Sequence, residues 1–218
     1  MAYILDSVKE HLDPEFLTEA ALELREGEAP IARALNAWSA TILAGLLNHV
    51  DNPKAMGRIY KGLEHFPPNL AAHPESLLRS GNVSQSDPKE ISGHLLGQLF
   101  GPKIAALNAG IASVSGAAPK VVSETLGIAG PMVLSTLGRR LQAGELSVSG
   151  LANLLRSEQD RITAMLPAEI AEILGARTLE APDTDQAEPV VGPRWGMSML
   201  LLVGLGVLVL FGMRQCGG

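Results

Sequence analysis

The chain has 218 residues, a formal charge of -6, and 46% hydrophobic residues of which few are aromatic. That length suits one domain with attachments, and an acidic chain lacks the basic surface that nucleic-acid binding requires. Its single cysteine, Cys216, excludes a disulfide framework and any zinc site built on several thiolates.

Helix signals dominate from the start. Ile4, Leu5, Val8 and Leu12 form one short apolar stripe. Asp13 followed by Pro14 predicts a capped helix start, because proline at the first helical position lacks an N–H that would be unpaired anyway. Phe16, Leu17, Ala20, Ala21 and Leu24 then recur on one face, with Gly27 as the expected stop. A longer helix is expected from about Pro30, carrying Ile31, Leu35, Trp38, Ile42, Leu46 and Leu47. Asp51 to Pro53 ends it and starts another, with Met56, Ile59, Tyr60 and Leu63 on its apolar face.

Residues 67–87 break the pattern with three prolines and many polar residues, which predicts a loop with one helical turn near Leu77 and Leu78. Asp87-Pro88 repeats the cap-and-proline start, and helices resume through Leu174 to a stop at Gly175. No period-2 run stands out, so the expected fold class is all-α: a helical bundle of two weakly similar halves, plus one C-terminal transmembrane helix. The halves are residues 2–64 and 93–155, aligned by a shift of roughly ninety residues. Leu35 then matches Leu126, Ile42 matches Val133, Leu43 matches Leu134, and Leu46 matches Leu137. Together residues 1–175 make the expected helical domain.

Residues 176–194 read as an acidic, proline-containing linker. Its acids Glu180, Asp183, Asp185 and Glu188 lie close together, which leaves the rest of the chain expected to be near charge balance. The apolar run that follows predicts a transmembrane helix over 195–213, with a short tail at 214–218. Its membrane-anchor candidates are Trp195, Met197, Leu200, Leu201, Leu202, Val203, Leu205, Val207, Leu208, Val209, Leu210, Phe211 and Met213. From Met197 to Met213 there are 17 uncharged residues. At ~1.5 Å per residue these approach the ~30 Å hydrocarbon core. Trp195 suits the headgroup interface, and Arg194 and Arg214 flank the span where each can reach water. Asp6, Lys9 and Glu10 stand where a signal peptide needs apolar residues. The expectation is a single-pass membrane protein, its N-terminal domain cytoplasmic and its tail on the far side. Cys216 is a candidate for acylation or cross-linking.

The search for chemistry yields little. Of five histidines, His11 and His49 fall at helix ends, and His65 and His73 flank a loop too irregular for a helical ligand pair. No GxSxG, SxxK or phosphate-binding loop occurs. Gly127, Gly130 and Gly138, around Pro131, suit close helix approach or bending, and Ile104 to Leu141 is expected to fold as a core αα-hairpin, the alternative being a membrane-inserted hairpin or pore. No catalytic, cofactor or metal site is expected.

The run "ISGHLLGQLFGPKIAALNAGIASVSG" and the stretch from "LGIAGPMVLSTLG" to "AEIAEILG" resemble the YidB-like bacterial domain of unknown function. Its motifs map to Leu95–Gly101, Ala129–Gly138, Gly144–Leu155 and Pro167–Gly175. "ALNAWSATILAGLLNHV" resembles the first half, with an Ala–Ser context replacing the usual proline. The order of domain, acidic linker, Arg-Trp and apolar run resembles the front of OmpA-type envelope proteins; these 218 residues include no OmpA-like part, so the expectation is either a free-standing anchored form or the front portion of something longer. The resemblance supplies no catalytic residues.

With the bacterial family that the resemblance implies, the expected function is a non-enzymatic, membrane-anchored helical interaction or scaffold domain at the cytoplasmic face of a bacterial inner membrane, binding a protein partner or itself. Its partners are the lipid bilayer and a protein, with no nucleic acid and no evident small-molecule substrate. The alternatives are an envelope-linking or stress-related role, and an enzyme with a site near His65 and His73.

Overall fold

The computed structural model describes residues 3–78 and 87–175. The expected linker, transmembrane helix and tail lie outside the described residues, and so does every residue named above from Arg194 to Cys216. Among the described residues there is no strand. Ten α-helices follow in order: α1 Ile4–Lys9, α2 Pro14–Leu24, α3 Glu28–Leu47, α4 Pro53–Glu64, α5 Pro88–Phe100, α6 Ile104–Ser115, α7 Pro119–Gln142, α8 Val148–Ser157, α9 Gln159–Met165 and α10 Ala168–Leu174. Short 3-10 turns at Leu70–Ala72, Pro74–Leu77 and Gly101–Lys103 fill the connections. The single turn expected near Leu77 is thus two turns, the second opened by Pro74.

Capping chemistry sets several boundaries. Asp13 accepts the Phe16 N–H, Asn52 the Ala55 N–H, and Asp87 the Lys89 N–H, each with proline in the first turn. Ser147 caps α8 through the Gly150 N–H. Each cap satisfies one of the N–H groups that a helix start leaves without an intrahelical partner. One expected stop moves. Helix α2 ends at Arg25, which takes the left-handed conformation at φ 52°, while Gly27 becomes the N-cap of α3. The helix therefore closes two residues early, on a side chain that the left-handed region disfavours.

Helices α3 and α7 pack along each other at the centre. From Ala34 to Leu46 in α3 and from Ile128 to Gly138 in α7, nearly every residue is buried, the condition of a helix surrounded by protein. Helix α7 is long and apolar enough to cross a membrane, yet 78% of its most apolar window is buried within the fold. It is the core helix expected of this stretch. Buried hydroxyls return to their own helix: Ser39 donates to the Leu35 carbonyl, Thr41 to Ala37 and Thr136 to Met132. These bonds let polar residues sit in an apolar core without orphaned groups.

The outer helices cross between the halves. Helix α4 packs on α7 while α8 packs on α3, and α4 and α8 touch. The turns after α4 rest on α7, and α9 and α10 after α8 rest on α3. Helix α2 lies on α3, whereas α6 packs on both core helices, more extensively on α3 than on α7. One contiguous buried cluster draws on both halves. Of the aligned pairs, Ile42/Val133, Leu43/Leu134 and Leu46/Leu137 are fully buried, whereas Leu35 is buried and Leu126 only half so.

Small residues make the close approaches. A Cβ on Gly138 would lie 2.9 Å from the Leu63 carbonyl oxygen, and one on Gly130 would lie 2.8 Å from Leu96 Cδ1. Gly127 meets nothing closer than 3.9 Å. Two of the three glycines around Pro131 therefore serve helix approach, whereas at Gly127 a side-chain carbon would make only ordinary contact.

Candidate interaction surface

The histidines do not converge on a site. His65 follows α4, its Nδ1 2.9 Å from the Lys61 carbonyl oxygen, and His73 stands between two turns with Nδ1 3.4 Å from Glu75 Oε1. Both are exposed. Among the described residues no group of three His, Cys, Asp or Glu side chains is arranged to hold a metal ion.

Glu158, between α8 and α9, is the one buried charged residue among those described. Both of its carboxylate oxygens accept the Ile4 backbone N–H, at 3.1 and 3.0 Å. Burial pushes its carboxyl above the ordinary value, against the opposing pull of that N–H and of Arg140 and Arg161. Arg161 in turn reaches both carboxylate oxygens of Asp6 at 2.7 Å and lies 4.2 Å over the Tyr3 ring. The group holds α1 against α9. Its acid spends its acceptor capacity on a helix start, which is a structural use.

Helix α4 presents a different kind of surface. Ala55, Met56, Ile59 and Leu63 face the core, and Lys54, Arg58 and Lys61, spaced four and three residues apart, form an exposed basic ridge. Apolar side chains flank the helix on both sides. Toward α5 a groove is lined by Ala55, Ile59, Leu95 and Leu99, with His49, Arg58 and Gln98 at its rim. Toward α8 a wider groove is lined by Val50, Pro53, Met56, Val148 and Ala152, with Asn153 and Arg156 at its edge.

The ridge is held firmly. Tyr60 donates to the Leu146 carbonyl, and Gln142 donates to the carbonyls of Glu64 and Phe66 at the end of the helix. Arg156 pairs with Asp51 at 2.7 Å ahead of its first turn. On the other side Gly62 allows Leu95 to approach so closely that a Cβ would overlap it. A surface pinned at both ends loses little freedom on binding, which favours recognition.

Charge is unevenly spread along the chain. Residues 6–28 hold eight acids and two bases, an excess equal to the whole formal charge of -6. The acids of 176–194 are half offset by Arg177 and Arg194, so the imbalance sits at α1, α2 and the start of α3, contrary to the expectation of near balance outside the linker. On α2, Glu15, Glu19 and Glu23 follow one another at four-residue spacing, all exposed. Leu22 stands among them 76% exposed, the most exposed large apolar side chain among the described residues.

None of these features was named from sequence, although the four-residue spacing of like charges on α2 and α4 is readable there. No curated protein and no solved structure matches the chain. The family described as "Bacterial protein of unknown function (DUF937)" matches residues 6–140, which run from α1 to near the end of α7 and cover both core helices. That span exceeds half of the sequence, and the chain belongs to this bacterial YidB-like family of unknown function.

Proposed function

We propose that this chain is a non-enzymatic helical interaction domain, tethered by its C-terminal apolar segment to a bacterial inner membrane with the domain on the cytoplasmic side. The observation that carries the reading is α4: a rigidly held basic ridge with an apolar groove on each flank. Apolar floors with charged rims are the anatomy of protein–protein contacts. The tether rests on sequence, on the uncharged run from Met197 to Met213 with Arg194 and Arg214 at its ends. The order of domain, acidic linker and apolar run, similar to the front of OmpA-type envelope proteins, agrees with it. A tether confines the domain to two dimensions and raises the effective concentration of weak partners. We also infer that the domain is a duplication of residues 2–64 in 93–155, supported by the reciprocal packing of α4 on α7 and α8 on α3.

Cross-linking in intact cells at native abundance, followed by mass spectrometry of what is joined to the domain, tests the interaction. Products mapping to α4 and its grooves support it, and a domain joined to no protein overturns it. Protease digestion of inverted membrane vesicles against spheroplasts tests the tether: cleavage of the domain only in inverted vesicles is expected, and the opposite pattern sinks the orientation.

A further inference from the structure

We propose that the groove between α4 and α5, with the basic ridge beside it, receives α2 of a second copy of this chain. This rests on the interaction-domain reading and names its partner. The chain carries both halves of a complementary contact. Along α2, Glu15, Glu19 and Glu23 surround the protruding Leu22; along α4, Lys54, Arg58 and Lys61 run beside an apolar groove. Among the described residues none of these six charges makes an ion pair within its own chain.

The stripes also match in length. Glu15 to Glu23 spans ~12 Å of helix and Lys54 to Lys61 ~10.5 Å, at ~1.5 Å per residue. Arg58 belongs to both the ridge and the groove wall, so a helix whose acids pair with the ridge sets an apolar knob against Ile59, Leu95 and Leu99. The α8-side groove has no such shared cation, because its arginine, Arg156, is already paired with Asp51. Within one copy α2 rests on α3 and α4 rests on α7, each fixed to a different core helix. The contact is therefore made between copies, and because its two faces are unlike it is heterologous.

The test uses the full chain in membranes, on a Cys216→Ser background. One tagged copy carries Leu22→Cys and a second, differently tagged, carries Gln98→Cys, both replacing exposed residues. Mild oxidation is expected to give the mixed disulfide in preference to either like pair. Reversing α2 (Glu15→Lys, Glu19→Lys, Glu23→Lys) on the first copy alone, or α4 (Lys54→Glu, Arg58→Glu, Lys61→Glu) on the second alone, is expected to abolish it. Reversing both together is expected to restore it, an outcome that misfolded variants would not give. A mixed product no more abundant than like pairs, or failure of the double reversal to restore it, overturns the proposal. If a different protein is then captured on α4, the interaction-domain reading survives and self-docking falls. If neither is captured, both fall.

Discussion

The Glu158 carboxylate holds the Ile4 backbone N–H on both oxygens, at 3.1 and 3.0 Å, joining residues 154 apart in sequence. That bond caps α1, whose own N-cap residue, Tyr3, makes no side-chain cap bond. Without it, the first N–H of a helix that buries Ile4, Leu5 and Val8 has no partner in a water-poor setting. Replacing Glu158 with Ala is expected to cost about 1–3 kcal/mol, the range for orphaning a buried donor. Urea denaturation checks it, and an unchanged midpoint would show that water serves Ile4 equally well.

The same group has a signed pH dependence. Its carboxyl is raised by burial, so its contribution is fully present below the unfolded-state value and is lost as pH rises through the folded one. Glu158→Gln keeps a carbonyl oxygen for the Ile4 N–H and removes the buried charge, along with its attraction to Arg140 and Arg161. Relative to wild type, this variant is therefore expected to gain stability as pH rises above the ordinary carboxylate range. Denaturation midpoints of both proteins across the acid-to-neutral range read the difference, and a difference that does not vary with pH would refute it.

Glycines on α7 and α5 predict opposite outcomes for the same substitution. Gly138→Ala sets a Cβ 2.9 Å from the Leu63 carbonyl oxygen, a backbone atom that moves only if α4 moves, and is expected to destabilise by about 1–3 kcal/mol. Gly93→Ala, inside α5 with nothing within 4 Å of the added carbon, is expected to stabilise by roughly 0.5–1 kcal/mol. Thermal melts of the two variants should move in opposite directions. A Gly138→Ala protein as stable as wild type would mean that α4 and α7 separate freely.

Legibility follows the range of the interaction. Asp13-Pro14 and Asp87-Pro88 are local signals, and both open helices as expected. The apolar stretch from Ile104 to Leu141 supplies one of the two core helices, as expected, with the continuous buried run at Ile128 to Gly138. Glu158 was invisible because the N–H it serves lies at the other end of the domain. The α2 stop was misplaced because Gly27 is the better left-handed residue, while the chain turns at Arg25 and uses Gly27 to start α3. The acidic face of α2 is masked in the sequence because the linker concentrates its acids along the chain, whereas α2 concentrates its own on one side of a helix.

That misplaced stop is itself testable. Arg25 adopts φ 52°, where a side chain costs roughly 1–2 kcal/mol and glycine does not. Arg25→Gly is expected to recover about 1 kcal/mol, part of the gain being offset by the freer unfolded chain. A fall in melting temperature would show that the arginine makes a compensating contact.

Glu26, next to that turn, titrates in the opposite sense to Glu158. One of its oxygens accepts the Gly27 N–H at 3.0 Å and the other accepts the Ala118 N–H at 3.0 Å, tying the start of α3 to the start of α7. These two bonds, the Ala118 bond foremost, hold its carboxyl below the ordinary value. Its contribution is therefore present above the unfolded-state value and lost as pH falls through the folded one. Glu26→Gln has only one carbonyl oxygen and must release one of the two N–H groups. At neutral pH the variant is expected to be less stable than wild type, and the gap should close on acidification, when the wild-type carboxyl is protonated too. Guanidinium midpoints at neutral and acid pH measure that gap directly. A gap that is constant or widens toward acid would mean that the charge of Glu26 does not act through these two bonds.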